Sequence, residues 1–210
     1  MEIRWDDERQ PSISDIKAKV EHGKVTLNFK WPNELENLYI YKQSLMNGEE
    51  IDWDKPYRKY TKNEYASFGG FVDQAEGCAV SRYILCPYIQ DDFERYIIDY
   101  KDDRNEIKVI SQQIQIGYEI QEKKKLFSTR KLVQMHVFCE LPLPQDYLCY
   151  VKKKGSIPVG PEDGMRFEFI SDFMAGDNVL PEIEVDKDEY VRIYLTDEVP
   201  YKEVYRIVKN

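Results

Sequence analysis

Val25-Thr26-Leu27-Asn28-Phe29-Lys30-Trp31-Pro32 alternates apolar and polar side chains and then stops at a proline. A period of two puts Val25, Leu27, Phe29 and Trp31 on one face of an extended chain, the pattern of a strand with one buried side. Pro32 has no N–H to offer a continuing ladder, so the strand ends there. Upstream, Ile16, Ala18 and Val20 share one parity, and Gly23 turns the chain between the two runs. Downstream, Leu38-Tyr39-Ile40-Tyr41 is the next strand and Asn47-Gly48 marks a turn.

The same reading extends along the chain. Glu49 to Gly70 is polar and aromatic and reads as one or two edge strands with loops. Ala79 to Tyr88 and Arg95 to Tyr100 are two strands joined by Gln90-Asp91-Asp92, and Glu106 to Ile110 follows a charged turn. A second series opens with Ile114, Ile116, Tyr118 and Ile120. It continues through 132–140, 147–151, 165–170, 183–185, 191–195 and 204–208. No window of about 12 residues carries the apolar stripe of an amphipathic helix, whereas 16 Tyr and 9 Phe suit strands. Many short strands at regular spacing predict an all-β protein of sandwiches or barrels.

A shift of the chain against itself by 110 residues decides the domain count. Val25, Leu27, Phe29 and Trp31 then fall on Met135, Val137, Cys139 and Leu141, keeping apolar parity. Pro32, Leu38, Lys42, Arg82, Leu85 and Ile97 meet identical residues at Pro142, Leu148, Lys152, Arg192, Leu195 and Ile207. A repeated pattern implies a repeated unit, and two copies are too few for a solenoid. The expectation is two tandem β-domains, residues 1–107 and 108–210, joined near 105–113.

The first half resembles a fibronectin type III domain. The segment from Pro11 through Ile16–Val20 and Gly23 to Trp31-Pro32 is similar to the family's first two strands, the second ending in a Trp near a Pro. Leu38 to Lys42 resembles its third strand. Arg82-Tyr83-Ile84-Leu85-Cys86-Pro87-Tyr88 resembles the strand that carries the family's core tyrosine, at Tyr83. The second half follows with Leu141 in place of the Trp and Tyr190 to Leu195 as the corresponding strand. The resemblance implies two tandem antiparallel β-sandwiches of immunoglobulin/fibronectin III type, used for protein recognition or as spacers. It brings no catalytic residues.

Composition narrows the function. Lys and Arg number 30 against 39 Asp and Glu, a net charge of −9, which opposes a general nucleic-acid binder. The one basic cluster, Lys123-Lys124-Lys125 with Arg130-Lys131, is expected in a solvated hairpin. No apolar run is long enough to cross a bilayer, and the charged start Met1-Glu2-Ile3-Arg4-Trp5-Asp6-Asp7-Glu8-Arg9 lacks the apolar core of a secretory signal. A cytoplasmic location is therefore expected, with Cys78, Cys86, Cys139 and Cys149 as free, buried thiols. A Cys139–Cys149 bridge across a hairpin is the alternative.

Motifs for chemistry are missing. There is no C-x-x-C, no G-x-S-x-G elbow, no phosphate-binding glycine loop and no calcium loop. His22 belongs to a turn. His136 and Cys139, three apart on a strand, point to opposite faces, which rejects a His136/Cys139/Cys149 zinc site. Asp6-Asp7-Glu8, Asp91-Asp92, Asp102-Asp103 and Asp186-Lys187-Asp188-Glu189 are read as turn residues. No metal or cofactor is expected.

What stands out is the aromatic set Trp53, Tyr57, Tyr60, Phe68 and Phe71. Trp and Tyr offer contact area at low entropic cost and are frequent at interface hot spots. The favoured expectation is a non-catalytic protein-interaction or accessory module, part of a larger bacterial assembly, with these residues as its binding surface if Trp53 is exposed and as core-completing rings of an edge strand otherwise. A carbohydrate-binding module using the same rings as sugar platforms is the second reading. A hydrolase with an unrecognised carboxylate pair is the third.

Overall fold

The computed structural model describes residues 2–5, 11–46, 50–75, 79–90, 93–124 and 127–210. Cys78, the turns at Asn47-Gly48 and Asp91-Asp92, the run Asp6-Asp7-Glu8 and Lys125 lie outside them. The chain is all-β and forms two sandwich-like domains, with compact units Met1–Gln112 and Gln113–Asn210.

The first unit contains strands β1 (Glu2–Trp5), β2 (Ser14–Glu21), β3 (Lys24–Lys30), β4 (Asn37–Ser44) and β5 (Arg58–Thr61), then helix α1 (Lys62–Phe68). Strands β6 (Phe71–Gln74), β7 (Val80–Gln90), β8 (Arg95–Asp99) and β9 (Glu106–Ile110) complete it. One sheet runs β2-β3-β6. The other runs β1-β8-β7-β4-β5, with β9 also on β7. The alternation that opened the reading of the sequence is realised in β3, whose Val25, Leu27 and Phe29 are buried. They meet Leu38, Ile40, Tyr83 and Leu85 from the facing sheet to form the core. The β2–β3 hairpin turns on His22 and Gly23, both at positive φ, the geometry a two-residue hairpin needs. Among the described strands β2 pairs only with β3, and on this sheet edge Ala18 and Val20 stay exposed.

Leu38-Tyr39-Ile40-Tyr41 is buried on both faces of β4. Tyr39, Tyr41, Ile84, Cys86 and Ile97 form a second apolar cluster on the face away from the core, roofed by Ile51 and Trp53 from the β4–β5 connection. That two-sided burial explains why the segment reads as a continuous apolar run.

The long strand β7 has two partners on one edge. β8 pairs its far end, Tyr88 opposite Ile97. β9 pairs its near end, from Val80 opposite Ile110 to Ile84 opposite Glu106. Asn105, fully buried, fills the gap. Its carbonyl accepts from the Leu85 N–H at 2.9 Å, and its Nδ2 donates to the Leu85 carbonyl at 3.2 Å.

Of the one or two edge strands expected between Glu49 and Gly70 one forms, Arg58–Thr61, and the correction is that Lys62–Phe68 is a helix. Thr61 caps it. Its hydroxyl accepts from the Glu64 N–H while the Glu64 carboxylate accepts from the Thr61 N–H, a reciprocal capping box. Gly69, left-handed at φ 68°, ends it. Seven residues are too short to show a helical stripe, so local capping rather than periodicity sets this element.

The second unit contains β10 (Ile114–Lys124), β11 (Arg130–Cys139), β12 (Leu148–Lys154), β13 (Met165–Glu168), β14 (Gly176–Val179), β15 (Ile183–Asp186), β16 (Glu189–Leu195) and β17 (Tyr205–Lys209). One sheet runs β14-β11-β10-β17 with β15 also on β11; the other runs β13-β12-β16. β17 lies parallel to β10, Ile114 opposite Tyr205. Strands β3, β4, β7 and β8 coincide or overlap with β11, β12, β16 and β17 at the 110-residue shift. Here too a connection folds back, and Tyr194 donates its hydroxyl to the Pro158 carbonyl. Gly164 sits so close that a Cβ would lie 2.5 Å from the Lys152 carbonyl oxygen, at a φ of 153° that side chains rarely adopt. Cys86, Cys139 and Cys149 are free and buried, with Cys139 on β11 and Cys149 on β12 in different sheets.

Candidate functional site

The predicted aromatic set divides. Tyr60 and Phe71 lie in the core of the first unit, edge to face at 5.3 Å, and the Tyr60 hydroxyl donates to the Gly70 carbonyl. Trp53 is half-buried against Tyr41 at 4.9 Å, and the Tyr41 hydroxyl donates to the Trp53 carbonyl. Phe68 is exposed at the end of α1. Tyr57, 50% exposed, rims a depression of about 220 Å³ with Tyr41, Lys42 and Ile51. The five rings therefore do not form one platform.

Tyr57 leads to a buried polar cluster. Asp73 on β6 is only 6% exposed and faces the core. It accepts from Lys42 Nζ at 2.7 Å, from the Tyr83 hydroxyl at 2.7 Å and from the Tyr57 hydroxyl. Burial alone would push its carboxyl up, but these three donors outweigh it and hold it below the usual carboxylate range. Burial, and then the bond to Asp73, push the Tyr57 phenol up to about 12 and the Tyr83 phenol higher still. Lys42 sits on β4, Tyr83 on β7 and Asp73 on β6, so the cluster ties the two sheets of the unit together. With its oxygens occupied by three donors, Asp73 is built to hold charge rather than to transfer a proton.

Several other charged groups are also paired. Lys123 pairs with Glu182 at 2.6 Å, Arg130 with Glu184 at 3.1 Å, and the buried Lys131 with Glu122 at 2.7 Å. Lys123, Arg130 and Lys131 of the basic run are thus each paired with a carboxylate. Among the described residues, every carboxyl displaced from its ordinary range is held low. Asp52, Glu64, Asp163 and Asp197 are lowered by hydrogen bonds from neighbours, as Asp73 is. A general acid at neutral pH needs the opposite shift. No group of three or more His, Cys, Asp or Glu among the described residues is placed to hold a metal ion. No helix among them is long and apolar enough to cross a membrane.

The second unit presents a different surface. A groove of about 240 Å³ is lined by Met135, Tyr150, Phe169, Ile170, Leu180 and Ile183. Its wall is a ring cluster. Tyr150 stacks on Phe167 at 5.0 Å and meets Phe169 at 5.4 Å, and Phe169 stands edge-on to Phe173 at 5.1 Å. Phe173 is buried and anchored by two backbone hydrogen bonds with Leu143. Ile170 is 92% exposed, and Met165, Met174 and Val179 are also exposed. The groove was not anticipated. Its signal was present in Phe167-Glu168-Phe169-Ile170 through Phe173-Met174, which holds more large apolar residues than one buried face of a four-residue strand can absorb.

No protein-family model matches this chain, and a search of curated proteins finds no match.

Proposed function

We propose that the chain is a non-catalytic protein-interaction or accessory module built of two fibronectin type III-like sandwiches. Support for the domain type comes from the first unit, where β2, β3 and β6 form one sheet and β4, β5, β7 and β9 belong to the other. That alternation between sheets follows the Greek-key scheme of immunoglobulin-like folds. Tyr83 lies in the core, as the resemblance implies.

The observation that carries the functional reading is the apolar groove of the second unit with Ile170 at its rim. The exposed Ile170 beside Tyr150, Phe169, Leu180 and Ile183 suits a protein partner, because an open apolar surface packs against another apolar surface. A sugar platform needs exposed, coplanar rings, and the five predicted aromatics are dispersed between core and surface. A photo-reactive residue at position 170 in the native host is expected to link one discrete protein, and one at Lys124 is expected not to. Glycan-array binding lost on Tyr150→Ala, without a protein adduct at 170, would establish the carbohydrate reading instead.

A further inference from the structure

The two units treat one side of the sandwich in opposite ways. In the first, Lys42 of β4 and Tyr57 from the β4–β5 connection both donate to Asp73 of β6, and Lys42 Nζ lies 5.2 Å from the centre of the Tyr57 ring. Polar bonds thereby tie one sheet to the other. At the 110-residue shift Lys42, Tyr57 and Asp73 become Lys152, Phe167 and Ile183. The contact between cation and ring is kept, with Lys152 Nζ 5.6 Å from the centre of the Phe167 ring. The tie between the sheets is lost, because Phe167 has no hydroxyl and Ile183 no carboxylate. Lys152 pairs with Glu189 at 3.3 Å instead.

Where the first unit is tied, the second is open and apolar. Tyr150 of β12 belongs to one sheet, Met135 of β11 and Ile183 of β15 to the other, and Phe169 and Leu180 complete the walls of the groove. Its volume is about 240 Å³. A closed apolar cavity of about 150 Å³ already takes a benzene, so there is room for one aromatic side chain. The walls suit a ring. Tyr150 and Phe169 meet at 5.4 Å and can stack with a third ring, and Met135 brings a polarisable sulfur. Glu168 is the one charged residue lining the groove, and it is in no ion pair among the described residues. A cation on an incoming segment therefore finds a carboxylate at the lip.

We propose that this groove takes a single aromatic side chain of a partner protein, carried on a segment with a Lys or Arg beside the ring. The ring enters between Tyr150 and Ile183, in the side of the sandwich that Tyr57 and Asp73 tie in the first unit. The neighbouring cation meets Glu168. The proposal rests on the interaction reading and names what the partner inserts.

The test uses the full 210-residue chain and a labelled synthetic peptide, Ser-Lys-Phe-Lys-Ser. Fluorescence anisotropy is expected to show saturable binding below about 1 mM, with methyl resonances shifted at Ile170 and Ile183 and unmoved at Leu27. Replacing the peptide's Phe by Ala is expected to weaken binding by about tenfold or more. Glu168→Lys is expected to weaken it severalfold. A peptide with Glu in place of both Lys is expected to restore binding to that variant and not to the parent chain. That rescue keeps the test independent of any loss of stability in the variant. Absence of binding to the parent chain, equal binding of the Ala peptide, binding indifferent to the charge changes, or methyl shifts away from the groove overturns the proposal. So does dimerisation of the chain alone with the same methyl shifts, which would make a second copy the occupant. A protein adduct at position 170 in the native host is scored without any peptide. Failure here with an adduct there overturns the aromatic insertion and leaves the interaction reading standing.

Discussion

Asp73 is a charged residue on the inward face of a strand, tolerable only because Lys42, Tyr57 and Tyr83 all donate to it. Breaking a buried ion pair from one side leaves the other charge stranded, at a cost of roughly 3–5 kcal/mol. Asp73→Ala is therefore expected to destabilise the first unit by about that much in urea melts, and Asp73→Asn by less, because an amide oxygen still accepts. Since the folded carboxyl is held below its unfolded value near ~3.9, its contribution is fully present above that value and lost as pH falls through the lower folded one. Denaturation midpoints from pH 7 downward should fall more steeply below about 4 in the parent chain than in Asp73→Asn. Half of this cluster was legible in the sequence. Tyr83 stood out within an apolar run. Asp73 did not, because one Asp in Phe71-Val72-Asp73-Gln74 has the look of a solvent-facing residue, and only the three-dimensional arrival of its donors says otherwise.

Among elements, β3 and β4 were readable because their patterns are long enough to have a period. Helix α1 was not, although Thr61-Lys62-Asn63-Glu64 contains its capping box. No residue of α1 is fully buried, and besides its cap the helix is held by Tyr65, which packs on Phe29 and Trp31 and hydrogen-bonds the Phe29 backbone. Thr61→Ala is expected to cost about 1 kcal/mol, seen as a lowered midpoint and loss of exchange protection at Glu64. The roof over β4 and β7 was likewise invisible. The sequence around Trp53 is compatible with an exposed anchor as well as with a core ring, because its neighbours Asp52, Asp54 and Lys55 are polar. Trp53 is held by Tyr41, a residue whose own burial on the outer face no single-face pattern announces.

For the molecule as a whole, the 110-residue shift located corresponding strands better than it located their partners. β8 and β17 occupy equivalent positions, yet β8 pairs β7 and β17 does not pair β16. Sequence identity at Ile97 and Ile207 marks the position of a strand and is silent on which edge it joins. Each unit has its own core, with Leu27, Leu38 and Tyr83 in the first and Ile116, Val137 and Ile193 in the second. Residues 1–112 and 113–210 expressed separately are each expected to melt in one cooperative transition. Limited proteolysis of the full chain should cut in 111–113 rather than within β9, whose backbone is bonded to β7.

The parallel pairing of β10 with β17 has a consequence for timing. Ile114 begins its unit and Tyr205 lies near its far end, yet the two stand side by side. Such a closure draws together ends separated by nearly the whole unit, so its chain entropy is lost before the contact rewards it. On the ribosome β10 waits, one edge bare, until about eighty further residues have been made. The first unit carries the same kind of closure between β1 and β8, Glu2 opposite Tyr96, while its β7, β8 and β9 follow one another directly and can close as they emerge.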